Sequence, residues 1–200
     1  MENMLIIEPS KLKILIIDNY DSFTYIIADY FLVLNSVVKV IKNDNPNFFS
    51  IIKDFNPDAL LLSPGPKTPK ESGNCFEILK FTLHKIPILG ICLGMQIINE
   101  FFGGDTVHVL NPIYGMTSQI HHNQIGLFSN IPNPFKAARY HSLRIHNIND
   151  NFNQDAYTSD KVVMAISHKK YSIYGLQFHP ESFLSEHGYD LLFNFMKIIR

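Results

Sequence analysis

At 200 residues, 46% hydrophobic and 18% charged, the chain holds enough apolar material for one domain with a sizeable core and too little length for several. A formal net charge of −1 excludes a global electrostatic pull toward nucleic acid or an anionic membrane. The only two cysteines, Cys75 and Cys92, give no disulfide framework and fit a reducing cytoplasm, and no apolar run approaches the roughly 18 residues of a membrane span.

Residues 1–12 read as a poorly specified tail; Glu2, Glu8 and Pro9 spoil a signal-peptide pattern around Leu5 to Ile7. A single domain is expected over 13–200. Lys13 to Ile17 is a nearly continuous apolar run, the pattern of a strand buried on both faces of a parallel sheet. A polar turn from Asp18 leads into a helix expected over 22–34, with Asp21 or Ser22 as its N-cap. Strands follow at 37–41 and 59–62, with a short helix at 48–55 between them. This rhythm predicts βαβ units and an open α/β sheet, mostly parallel, with helices on both faces.

The stretch Ser63 to Pro69, SPGPKTP, cannot be a regular strand or helix, and Gly65 is the residue free to turn its N–H outward. No Gly-Lys-Ser/Thr follows, so it is not a phosphate loop. A helix is expected over 73–84, with Cys75 as a packed structural residue. A strand at 86–91 then meets GICLG at 90–94, and a helix is expected over 93–102, stopped by Gly103 and Gly104. A strand turning sharply into a helix, with a nucleophile at the turn and glycines beside it, is the plan of a nucleophile elbow. There Cys92 would sit at a helix N-terminus, where unpaired N–H groups favour thiolate.

Beyond 104 the pattern changes to short β-prone segments (106–110, 117–121, 139–145, 162–167, 171–178), read as antiparallel strands in the C-terminal half, before a last helix from about 187. The Asn-rich stretch 147–153 reads as a loop. His121 and His122 adjoin, but nothing follows at metal-ligand spacing, so no metal site is expected. In GLQFHPE, at 175–181, Pro180 biases His179 to extended backbone, where residues two apart face the same side. Glu181 can then orient the His179 imidazole, and with Cys92 the set makes a Cys-His-Glu triad suited to acyl transfer.

GICLGMQ at 90–96, SPGP at 63–66, RYHSL at 139–143 and GLQFHPES at 175–182 together resemble the class I, triad-type glutamine amidotransferases. DNYDSFTY at 18–25 narrows the resemblance to the glutaminase subunits that serve chorismate-using synthases, those making anthranilate or 4-amino-4-deoxychorismate. The resemblance spans about 13–195. It implies that Cys92 attacks the side-chain amide of L-glutamine, His179 moves protons and Glu181 orients it. It also implies an oxyanion hole of the Gly65 and Leu93 N–H groups, and a glutamine site of Gly65, Pro66, Gln96, Ser142 and Leu143. It implies no cofactor, and its expected protein partner is a synthase subunit. The chain departs from the family pattern at Lys67, where a small residue is common, at Met95, where His is common, and at Tyr114 to Met116, where His-Gly-Lys is common. The competing readings are a stand-alone cysteine hydrolase such as a γ-glutamyl hydrolase, or a non-catalytic interaction subunit. RYHSL with DNYDSFTY speaks against the first and the intact triad against the second.

Overall fold

The apolar run at Lys13 becomes a strand whose side chains divide between two cores. In the computed structural model, which describes residues 11–200, β1 (Lys13–Asp18) sends Ile14 and Ile16 into one cluster and Leu15 and Ile17 into the other. That period-two division is what a strand covered on both faces requires. Residues 1–10 of the expected tail lie outside the described residues, while Leu12 already accepts the Val37 N–H.

The elements that follow are α1 (Thr24–Val33), β2 (Val37–Lys42), α2 (Phe48–Phe55), β3 (Ala59–Leu62), α3 (Cys75–Thr82), β4 (Ile88–Ile91), α4 (Leu93–Phe101), β5 (Asp105–His122), β6 (Phe135–Asn147), β7 (Phe152–Tyr157), β8 (Val163–His168), β9 (Ile173–Leu176) and α5 (Gly188–Ile199). The sheet runs β2-β1-β3-β4-β9-β8-β7-β5-β6. Pairings from β2 to β9 are parallel, and those from β9 to β6 are antiparallel. One face is covered by α1 and α5 through Ile27, Phe31, Leu191 and Phe195, and the other by α2, α3 and α4 through Ile52, Ile78, Leu79 and Ile97. Each such side chain, removed from water, contributes about 1.5–3 kcal/mol. The fold is an open α/β sheet with helices on both faces and an antiparallel C-terminal half.

Three expectations need correction. The first helix starts at Thr24, with no side-chain cap at its assigned N-cap residue; Asp21 instead accepts the Phe23 N–H (2.8 Å) in the turn before it. The segments 106–110 and 117–121 belong to one strand, β5, whose pairing with β6 slips between His108 and Ile113 and again between Tyr114 and Met116. Such irregularities hide a long strand from any test of strict alternation. The loop expected at 147–153 is shorter, because β6 runs to Asn147 and β7 begins at Phe152.

Since β1, β3, β4 and β9 are parallel, everything that follows them leaves the sheet at one edge. That edge receives the polar turn after Asp18, SPGP, Cys92 and the run from Gln177 to Glu181. Sites of open α/β sheets lie there.

Candidate active site

Between β4 and α4, Cys92 has φ 53° and ψ −105°, a conformation that L-residues rarely adopt. Such strain costs on the order of 1–3 kcal/mol and persists only where the surroundings enforce it. Here they do. The Cys92 N–H donates to Leu176 O (2.7 Å), and the Met95 and Gln96 N–H groups donate back to the Cys92 carbonyl (3.1 and 3.2 Å). A Cβ on Gly90 would lie 2.4 Å from the Gly94 backbone, and one on Gly94 would lie 2.2 Å from Leu62 O, so only glycine fits either position. Leu93 opens α4, so its N–H has no acceptor within the helix.

His179 leaves the same sheet edge after β9. Its N–H donates to Ala138 O (3.0 Å), and its carbonyl accepts the Ser185 hydroxyl (2.5 Å). Its Nδ1 lies 2.6 Å from Glu181 Oε1, and both side chains are buried. The pair forms in a turn, closed by Ser182 N–H to His179 O (3.3 Å), rather than along an extended strand as the spacing suggested. Gly188 of α5 leaves no room beside the Pro180 carbonyl, which a Cβ would meet at 1.7 Å, and so seats that turn closely. The rings of Phe23 and Tyr140 pack on the imidazole at centroid distances of 5.5 and 5.1 Å. His179 Nε2 is buried with no hydrogen-bond partner among the described residues. Burial disfavours the imidazolium, but the electrostatic pull of the nearby Cys92 sulfur, followed by the Glu181 carboxylate, outweighs it and holds the His179 pKa well above the usual histidine range.

The SPGP loop is fixed from beneath by Asn19, whose N–H donates to Ser63 Oγ (2.8 Å) and whose amide donates to Ser63 O (2.8 Å). Asn43 and the Cys75 thiol donate to Asn19 Oδ1 (3.0 and 3.2 Å). The Gly65 N–H has no acceptor among the described residues. The cleft above the thiol, about 290 Å³, is lined by Gly65, Pro66, Cys92, Leu93, Gln96 and residues 140–143, with Lys67 and Tyr114 at its margin. The expected binding and oxyanion residues thus share one cavity. Among the described residues, no cluster of His, Cys, Asp or Glu could hold a metal ion.

A family model, glutamine amidotransferase class-I, matches residues 15–199. The chain belongs to this family. It is 41% identical over 191 residues to anthranilate synthase component 2 of Pseudomonas putida, spanning 92% of this chain and 96% of that one. It is 40% identical over 185 residues to aminodeoxychorismate synthase component 2 of Escherichia coli K12, spanning 92% and 98%. A solved structure from Thermoplasma acidophilum, described as part of a GMP synthase, superposes with a TM-score of 0.86 at 28% identity, covering 96% of each chain.

In this amidotransferase the departures from the family pattern acquire physical meaning. Lys67 has φ +70°, a conformation that suits glycine, so a small residue there would be the relaxed choice. Met95 is fully buried; its side chain fills the space where a Cβ on Gly175 would meet it at 2.6 Å. Tyr114 and Met116 are both 65% exposed. Three groups escaped the sequence reading: Asn19 beneath the SPGP loop, Arg139 with His141, and Gln177. Each lay inside a motif already quoted, with nothing to separate it from its neighbours.

Arg139 Nε donates to His141 Nε2 (3.0 Å), and His141 Nδ1 meets Leu143 O (2.9 Å). Gln96 Nε2 donates to that same carbonyl (3.1 Å), which therefore has both lone pairs engaged and is not free for a ligand. Burial first, then the Arg139 charge, pushes the His141 pKa down to about 4. An unfolded histidine binds its proton near 6.5, so between 6.5 and about 4 the unfolded chain takes up more protons than the folded one. Stability from this residue is complete above 6.5 and falls as pH falls through that window. Denaturant unfolding at pH 7 and pH 5 should show a loss of about 2 kcal/mol in wild type that His141→Gln lacks. Equal losses in the two proteins would contradict a neutral, buried His141.

Proposed function

We propose that the protein is the glutaminase subunit of a two-component synthase, hydrolysing L-glutamine through a γ-glutamyl thioester on Cys92 and passing ammonia to a chorismate-using synthase subunit. The observation that carries the reading is the imidazole of His179. Its Nδ1 is held by Glu181, its Nε2 is without a partner among the described residues, and Cys92 is a main contributor to its raised pKa. The relatives support the second half of the reading, since both are named as component 2 of such synthases. The domain runs over 13–200, needs no cofactor and, with two free thiols, suits the cytoplasm.

The chemistry follows from these positions. The Cys92 sulfur attacks the amide carbon, and the carbonyl electrons move onto oxygen, held by the Gly65 and Leu93 N–H groups. As that intermediate collapses, His179 gives its Nε2 proton to the departing nitrogen and ammonia leaves. Neutral His179 then takes a proton from water, whose oxygen attacks the thioester, and the sulfur departs with glutamate formed. Glu181 keeps the Nδ1 proton in place and stabilises the imidazolium at each turn. Pro66, Gln96, Ser142 and Leu143 form the walls that receive the rest of the substrate.

Gly65→Ala tests the oxyanion role. The added methyl would meet Asn19 Cβ at 2.5 Å and Asn19 O at 2.6 Å, so the loop must move and its N–H must leave its direction. Glutamate release should fall by ~10²–10³. A turnover near wild type in a folded variant would remove Gly65 from the mechanism.

Coupling to the partner is tested by glutamate release from the isolated chain, then with the synthase partner, then with chorismate added. Ammonia released without an acceptor is wasted, so turnover should rise at each addition. The surface for such control lies at the mouth: Tyr20 lines a second cavity that shares Pro66, Lys67 and Leu93 with the glutamine cleft. A tenfold rise needs only about 1.4 kcal/mol of preference for the active loop state, within reach of an ordinary interface. Full activity in isolation, unchanged by either addition, would favour a stand-alone hydrolase.

A further inference from the structure

Behind the cleft runs a buried chain of hydrogen bonds whose polarity is set at one end. Arg139 has no acceptor, so His141 Nε2 must accept from it and the ring proton must sit on Nδ1, where it donates to Leu143 O. Leu143 O is a backbone carbonyl and cannot become a donor. The Gln96 amide must therefore present its NH2 group to it, and the same nitrogen donates onward to Gln177 Oε1 (3.0 Å). With its oxygen so engaged, Gln177 has only its NH2 left to face Cys92 Sγ, which lies 3.6 Å from Nε2. Turning either amide over would place donor against donor or acceptor against acceptor within a buried chain of bonds. Gln177 is fully buried, and its backbone N–H donates to Met164 O (2.9 Å), which fixes the main chain from which the amide reaches the sulfur.

We infer that Gln177 is a further catalytic residue, a fixed N–H donor to the Cys92 sulfur whose orientation is dictated through Gln96 by the wall of the glutamine cleft. A neutral donor aimed at sulfur favours thiolate over thiol before attack, and favours sulfur as the leaving group when the thioester breaks. His179 is the titratable group facing the same sulfur, so the nucleophile has two supports of different kind. The relay also makes Gln96 do two things: its NH2 locks Gln177, and its carboxamide oxygen stays available at the cleft. Substrate contact at Gln96 and reactivity at Cys92 are then one connected property. This inference rests on Cys92 being the nucleophile.

The test is alkylation of Cys92 by iodoacetamide without glutamine, with the modified peptide located by mass. Three variants are compared with wild type. Gln177→Leu removes both ends of the amide, while Gln177→Glu keeps the shape and the oxygen facing Gln96 but turns an oxygen toward sulfur. Gln96→Leu leaves Gln177 intact and frees it to turn. At neutral pH each should alkylate about tenfold or more slowly than wild type, with Gln177→Glu slowest, and the deficit should shrink at alkaline pH, where ionisation needs no help. A merely structural role would not give that pH-dependent recovery. Wild-type alkylation rates at neutral pH in the variants that melt cooperatively would overturn the relay. Glutamine hydrolysis by the wild-type preparation is measured alongside: if it fails, the glutaminase reading fails with it, whereas hydrolysis with unchanged variant alkylation sinks only the relay.

Discussion

Cys92→Ala should lower glutamine-dependent turnover by about 10⁴–10⁶-fold, while product formation by the synthase complex from added ammonia continues. Only glutamine hydrolysis uses the thiol, so loss of both activities would mean that the substitution had broken the assembly rather than the chemistry. The control is Cys75→Ser. Cys75 is also a free thiol, but it is fully buried, donates to Asn19 Oδ1 and is pushed by burial up to about 12, which keeps it protonated and unreactive. Serine retains the donor that steadies Asn19 beneath the SPGP loop, and glutamate release should stay within about twofold of wild type. Glutamate release by Cys92→Ala near the wild-type rate would remove the nucleophile from the account.

The second large effect separates proton transfer from orientation. His179→Asn should lose turnover nearly as completely as Cys92→Ala, since among the described residues His179 Nε2 is the one buried side-chain nitrogen left without a partner. Glu181→Gln should lose less, about 10²–10³-fold. A carboxamide still accepts the Nδ1–H across the present 2.6 Å contact, but it no longer offers a charge to the imidazolium. Because the two residues act as a unit, the double variant should be little worse than His179→Asn alone. Losses that multiply would show that Glu181 serves some purpose other than holding His179.

How much of this was legible in the sequence depended on whether a signal was local. The strands at 13 and 59 were readable because burial on both faces leaves continuous apolar runs, the helix at 48–55 because an amphipathic helix leaves its period, and the half-exposed edge strand at 37 through its valines and isoleucine. The elbow was readable because Gly90, Cys92 and Gly94 lie within five residues, although only the approach at Gly90 is local; the one that forbids a side chain at Gly94 comes from Leu62, on another strand. β7 was not readable, because Asn153, Gln154 and Asp155 break its alternation. Asp155 points inward nonetheless and is offset by the Asn123 amide at 2.7 Å, a partner 32 residues away. The supporting groups of the site were hidden similarly. Asn19 meets Ser63 across 44 residues, Gln96 meets Gln177 across 81, and Phe23 reaches His179 from the far end of the chain. A motif can reveal that such residues occur together, but only the sheet order brings them into contact.

Opening of glutamine on Cys92 is measured most directly by capture of the intermediate. The protein, with its synthase partner present, is mixed with isotopically labelled glutamine, quenched in acid to preserve the thioester, digested and weighed. One γ-glutamyl group should be found on the peptide containing Cys92 and none on the peptide containing Cys75, and the labelled fraction should disappear in Cys92→Ala. A preparation that hydrolyses glutamine yet carries the group elsewhere, or nowhere under the same quench when Cys92→Ala still turns over, would contradict the account.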